Sequence, residues 1–174
     1  MSVDGFWDVV QAARSSVDDA TDAGQVAERA LELLMRLPAP HVAELARASW
    51  ELMAVSYRHD LWAAAYHLNG GCSDDGFEYF RGWLIAQGRE VFDRAVADPD
   101  TLADVPAVRE AANDGPELES EEMFGVAFLA YAELTGSAQP PVTGRYPDLG
   151  PAWDFDDADR MRQRMPRLAA LLEG

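Results

Sequence analysis

The sequence predicts an all-α fold: a single compact, non-repeating helical domain of about seven to eight helices around a central buried helix. Three observations carry that reading. Apolar residues recur at helical spacing along most of the chain. No period-two run of useful length occurs, so strands are not expected. And the stretch from Asn69 to Ala97, NGGCSDDGFEYFRGWLIAQGREVFDRAVA, is apolar around most of its girth, as in a helix covered on several sides.

From the start, Asp4 is placed to cap a first helix with Phe6, Trp7, Val10 and Ala13 on one side, ending near Val17. Asp22 caps a second, QVAERALELLMRL, whose Val26, Ala30, Leu33, Leu34 and Leu37 form an amphipathic stripe that Pro38 stops. Pro40 suits a first helical turn and opens a long third helix through Val42, Leu45, Trp50, Leu52, Met53 and Tyr57. Arg58-His59-Asp60 reads as a short corner, after which LWAAAYHLN continues as an apolar helix to Gly70-Gly71.

The central segment follows that break, since glycine takes the left-handed conformation of a helix exit. Ser73 stands at the N-cap, and Asp74 and Asp75 favour the positive end of the helix dipole. Phe77, Phe80, Leu84, Val91 and Ala95 make one apolar line, and Tyr79, Trp83 and Ala86 a second. The remaining strip, Asp74, Glu78 and Arg81, has the spacing for pairing along the helix. Gly82 costs up to about 1 kcal/mol in a helix interior, which close approach of a neighbouring helix would justify. Gly88 marks a bend, and Asp98-Pro99 the end.

Two short helical turns, PDTLADVP and AVREAAND, come next. Ser120-Glu121-Glu122 starts MFGVAFLAYAELTG, with Phe124, Phe128, Tyr131 and Leu134 predicted inward and Gly136 as C-cap. Residues 137–151, with four prolines, read as an extended surface segment. A last helix from about Asp156 places acids before arginines, and Pro166 breaks or bends it before LAALL. The chain therefore divides into a helical domain over 1–136, and a proline-rich segment with a C-terminal helix over 137–174, packing on the same domain.

With 48% hydrophobic residues the chain is able to fold despite a net charge of −17, from 31 acids and 14 bases, all of them arginine. So acidic a surface disfavours nucleic acid and suits a basic protein partner. Asp98 to Glu122 alone holds nine acids and one arginine, a run whose simplest account is a solvated loop and helix start. One cysteine excludes an internal disulfide and suits a reducing compartment. The start, MSVDGFWDVV, lacks the pattern of a secretory signal, and no apolar run approaches a membrane span, so a cytoplasmic protein is expected. Leu168, Leu171 and Leu172 offer the last helix an apolar face for a homo-oligomer.

The FW pair near the start, DLWAAAYHLNGGCSDDGFEYFRGWLIAQGREVF and DPDTLAD together resemble the uncharacterised bacterial family known as domain of unknown function 4240. The likeness spans roughly Asp4 to Gly136. It implies a shared fold and carries no catalytic residue.

The chemistry-bearing residues gather at one predicted helix junction: Asp60, His67, Cys72, Asp74, Asp75, Glu78 and Arg81. Carboxylates and an imidazole from adjoining helix ends are the donors of an oxygen-rich metal site. Yet neither Glu-x-x-His nor His-x-x-x-His occurs on a face, and the two aspartates are explained as helix-start acids. No metal or cofactor is therefore assigned. A helix N-terminus lowers the pKa of a preceding thiol such as Cys72, with His59 or His67 as base, but two adjacent acids oppose the thiolate. Arg81 is read either as paired with Asp74, Glu78 or Asp60, or as holding a ligand carboxylate or phosphate among Trp62, Tyr79 and Trp83. His41, in a first turn, is expected exposed. With no phosphate loop, paired-cysteine motif or nucleophile elbow, the expectation is a non-catalytic interaction module with an acidic face. The alternative is a small-molecule- or metal-dependent enzyme at the Asp60/Cys72/Asp75/Arg81 junction.

Overall fold

A computed structural model describes residues 2–137, 142 and 144–174. These form ten α-helices and one 3-10 helix, with no strand among the described residues. In order they are α1 (Ser2–Arg14), α2 (Ala23–Leu34), α3 (Ala39–Val55), α4 (His59–Leu68), α5 (Asp74–Ala86) and α6 (Arg89–Ala97). The 3-10 helix (Pro99–Asp104), α7 (Pro106–Ala111), α8 (Glu121–Thr135), α9 (Ala158–Arg164) and α10 (Pro166–Glu173) complete the chain. No described helix is long and apolar enough to cross a membrane.

The caps read from the sequence hold at α2, α5 and α8. The Asp22 carboxylate accepts from the backbone N–H of Gly24 and Gln25, Ser73 Oγ from Gly76, and Ser120 Oγ from Met123. Gly136 closes α8 in the left-handed conformation, φ 68°. Elsewhere local competition moved the boundaries. Arg58 is the N-cap of α4, so His59 and Asp60 are helical and not a corner. Gly88 adopts φ 97° and ψ 166°, a backbone state open to glycine, so the predicted rod from Ser73 to Ala97 is two helices and not one bent helix.

The core is built around α5 and α8. Residues 80–86 of α5 are all buried, together with Phe77, and α8 packs on α2, α3 and α5. At Gly82 the backbones of α5 and α8 approach closely: a Cβ there would sit 2.8 Å from the Phe124 backbone nitrogen. Met123, Val126, Ala127 and Ala130 are the buried residues of α8. Phe124, Phe128, Tyr131 and Leu134, expected inside, are only partly buried at the margin.

The C-terminal part binds this core by polar anchors. Residues 138–141 and 143 of the segment expected to be extended lie outside the described residues; 144–150 form neither helix nor strand. Beyond them Trp153 is buried and its indole N–H donates to Asp60 Oδ1 at 3.0 Å. Asp100, also buried, accepts from the Arg167 and Leu168 backbone N–H groups at 3.0 and 2.9 Å and so caps α10. Leu168 is buried in the core, and Leu171 and Leu172 pack partly against it.

Candidate functional site

Arg81 is the largest fully buried side chain among the described residues. Helix α5 points it inward, four residues after Phe77, whose carbonyl accepts from Arg81 Nε at 3.2 Å. Nη1 donates to the Met53 carbonyl near the end of α3. The guanidinium lies against three rings: Phe77 at 4.5 Å, Tyr146 at 4.7 Å and Tyr57 at 5.1 Å from their centroids. Cation–π contact of this kind favours the charged form. Burial works against it and lowers the pKa of Arg81, an effect that Tyr146, Glu78 and Tyr57 offset in part.

No carboxylate forms an ion pair with Arg81 among the described residues. The expected pairing with Asp74, Glu78 or Asp60 is thus corrected: Arg81 turns into the core, away from the strip that helical spacing suggested. Its Nη2 has no hydrogen-bond acceptor. Glu78 instead accepts from the Tyr146 hydroxyl at 2.9 Å. The Tyr146 ring is sandwiched between Trp50 at 4.7 Å and Tyr57 at 4.6 Å, with interplanar angles of 11° and 24°. Burial and Glu78 raise the Tyr146 phenol to about 12, so it stays protonated.

The predicted junction does not converge. Asp60 meets Arg164 Nη1 at 3.0 Å as well as the Trp153 indole. His67 donates through Nε2 to the Phe155 carbonyl at 2.6 Å. Trp62 stacks on Phe77 at 4.8 Å and donates to the Cys72 carbonyl. Tyr79 packs beside Phe124, and Trp83 is buried beside Phe80. Asp74 and Asp75 are exposed in the first turn of α5, and His41 is exposed. Among the described residues no three His, Cys, Asp or Glu side chains are grouped to hold a metal ion. Cys72 behaves opposite to the helix-terminus expectation. Burial pushes its thiol up to about 11, with Glu119 adding to the rise and Arg81 opposing it.

Tyr57, Trp50, Phe77 and Tyr146 are the residues that sequence reasoning did not join to Arg81. The Phe77–Arg81 spacing was a legible signal, because residues four apart share a helix face. Nothing in the sequence ties Tyr146 to them. A cleft of about 540 Å³ opens beside this cluster, lined by Tyr57, Arg58, His59, Asp60 and the backbone stretch Pro147 to Leu149. A smaller hollow of about 190 Å³ lies on the other side, lined by Trp50, Phe128, Val142 and Gly144.

Two groups stand apart in the acidic run. Asp98 accepts from the Asp100 N–H, Asp100 caps α10, and Asp104 pairs with Arg94 and Arg167. Those three serve the fold. Glu117, Glu119, Glu121 and Glu122 are exposed and form no ion pair among the described residues. The Ser120 N–H donates to the Tyr79 carbonyl at 2.8 Å, which sets this start of α8 against the second turn of α5, the turn after Asp74 and Asp75. The Tyr79 phenol is raised by Glu121 first, then by burial, Asp75 and Glu78, so carboxylates of both helices surround one ring.

No curated protein and no solved structure matches the chain. The model of one family matches residues 1–133, a span that holds α1 to α7, nearly all of α8, Arg81 and the acidic helix starts but not Tyr146. The chain belongs to the family described as protein of unknown function DUF4240.

Proposed function

We propose that this protein is a non-catalytic interaction module of the bacterial cytoplasm. Its acidic face, at the paired starts of α5 and α8, receives a basic segment of another protein. The carrying observation is the set of exposed carboxylates Asp74, Asp75, Glu117, Glu119, Glu121 and Glu122, none paired with an arginine among the described residues. Tyr79 among them supplies an aromatic surface of the kind on which an arginine stacks. Rigid capped helices hold the acids in place, so a partner pays little ordering entropy on this side. Same-sign fields steer an oppositely charged partner and weaken as salt rises.

The test is binding of an arginine-rich peptide across an ionic-strength series. Two variants are compared, Asp75→Asn/Glu119→Gln/Glu121→Gln/Glu122→Gln and an equal neutralisation at Asp18, Glu28, Glu32 and Glu44. The reading expects the first to lose at least about tenfold in affinity at 0.15 M salt and the second to change little. Equal losses in both would mean diffuse attraction to a net charge of −17, and would refute a docking face.

A further inference from the structure

Helix α8 carries no charged residue between Glu122 and Glu133, on a chain of net charge −17. Its inner side accounts for part of that, with Met123, Val126, Ala127 and Ala130 buried where it packs on α2, α3 and α5. The outer face is apolar as well. Glu122, Gly125, Leu129, Ala132 and Glu133 fall on one side at helical spacing. Leu129 is 48% exposed, one of two large apolar side chains open to solvent among the described residues. A helix apolar around its girth is normally covered on every side, and here one side is bare.

Gly125 is a separate observation on the same face. Glycine weakens a helix interior relative to alanine. At Gly82 the contact with Phe124 requires it, whereas at Gly125 a Cβ would meet nothing within 4 Å. What the glycine leaves there is a dip, bordered one turn away by Glu121 and Glu122 on one side and by Phe128 and Leu129 on the other. Such a dip receives a side chain of a second helix as a hole receives a knob.

Charge selects the occupant. Glu121 and Glu122 at one end and Glu133 at the other are exposed and form no ion pair among the described residues. The two ends stand about 16 Å apart along the axis, from the rise of a helix per residue. A second copy of this chain would set acid against acid at both ends. A helix with basic residues about three turns apart meets both ends at once.

We infer that the outer face of α8 is the docking surface for an amphipathic helix of a partner protein. Its apolar stripe sits on Gly125, Leu129 and Ala132, and its arginines or lysines at either end meet Glu121, Glu122 and Glu133. The inference rests on the acidic face proposed above and gives the basic segment its form. Apolar anchors at positions i, i+3 or i+4, and i+7 are how a helix lies along such a surface. The ends confer salt sensitivity, and the apolar middle confers affinity that salt does not screen.

The experiment uses the full chain and a labelled peptide of about fifteen residues of leucine, alanine and arginine, helical by composition. Its leucines form one stripe and its arginines stand at both ends; the comparator has the same composition with the leucines spread around the helix. Binding is read by fluorescence anisotropy and peptide helicity by circular dichroism. The striped peptide is expected to bind at least about tenfold more tightly than the comparator and to gain helicity on binding. Leu129→Gln and Gly125→Gln should each weaken it at least about fivefold with the melting temperature kept, while Val55→Gln, at the other exposed apolar residue, should change little. Equal affinity for the two peptides overturns the inference, as does a loss in Val55→Gln matching that in Leu129→Gln. If both peptides then still weaken in Asp75→Asn/Glu119→Gln/Glu121→Gln/Glu122→Gln, the acidic face stands without a helical partner; if neither weakens, that reading falls too.

Discussion

Gly82 and Phe124 meet backbone to backbone: a single added carbon on Gly82 would stand 2.8 Å from the Phe124 amide nitrogen. The contact fixes how near α5 and α8 lie, and through α8 it fixes the position of both acidic helix starts. Alanine at an unconstrained helix position is favoured over glycine by about 0.8–1 kcal/mol. Here the carbon would push two helix backbones apart, which costs about 1–3 kcal/mol or more.

Gly82→Ala is therefore expected to destabilise the protein by about 2 kcal/mol in denaturant unfolding. Gly125→Ala, on α8 with nothing within 4 Å of the added carbon, is expected to stabilise it by about 0.5–1 kcal/mol. Opposite signs for two glycine-to-alanine changes on touching helices would separate packing from propensity. Equal signs would contradict the contact.

Asp100 joins the 3-10 helix to α10 by accepting two backbone N–H groups. Asp100→Ala removes a capping carboxylate, a change of about 1–2 kcal/mol. The loss should be local. Hydrogen exchange is expected to accelerate at Arg167 and Leu168 and along α10, with α2 and α8 protected as before.

Cys72 has its thiol raised to about 11, chiefly by burial. Alkylation by iodoacetamide is expected to be much slower at pH 8 than for a free cysteine peptide, and to climb steeply only as pH approaches 11. A rate matching the free peptide at pH 8 would show the thiol unperturbed. Because the folded pKa is raised, the group favours the fold below its ordinary pKa near 9, and that contribution fades as pH rises toward 11.

Asp104 carries the opposite sign. Arg167, and after it Arg94, holds its carboxylate below the usual range. Its contribution is present above the unfolded pKa near 4 and is lost as pH falls through the depressed folded value. Asp104→Asn should flatten the acid limb of a melting-temperature profile between pH 5 and 3 while changing little of its slope above pH 7.

Much of the scaffold was legible in short range. Asp22, Ser73 and Ser120 cap because a side-chain oxygen near a free N–H is a local event, and Gly136 ends α8 for the same reason. The site was legible only in pieces. Asp74, Glu78 and Arg81 had the spacing of a paired strip, but spacing does not say that Arg81 faces inward with Phe77 and leaves Glu78 to Tyr146. Asp60 and His67 looked like partners of Asp75. They are engaged by Arg164 and the Phe155 carbonyl, 104 and 88 residues downstream.

By itself the sequence determined an acidic all-helical chain, its family and most helix starts, because these depend on pattern and neighbours within a few residues. Only the tertiary structure decided that the long central segment is two helices, that Phe124 of α8 meets the backbone of α5 at Gly82, and that Tyr146 closes over a buried Arg81 with no ion pair. Those outcomes turn on which backbones approach each other and which distant ring fills the space between. Contacts between remote parts of the chain are settled when the whole core closes, and no local rule encodes them.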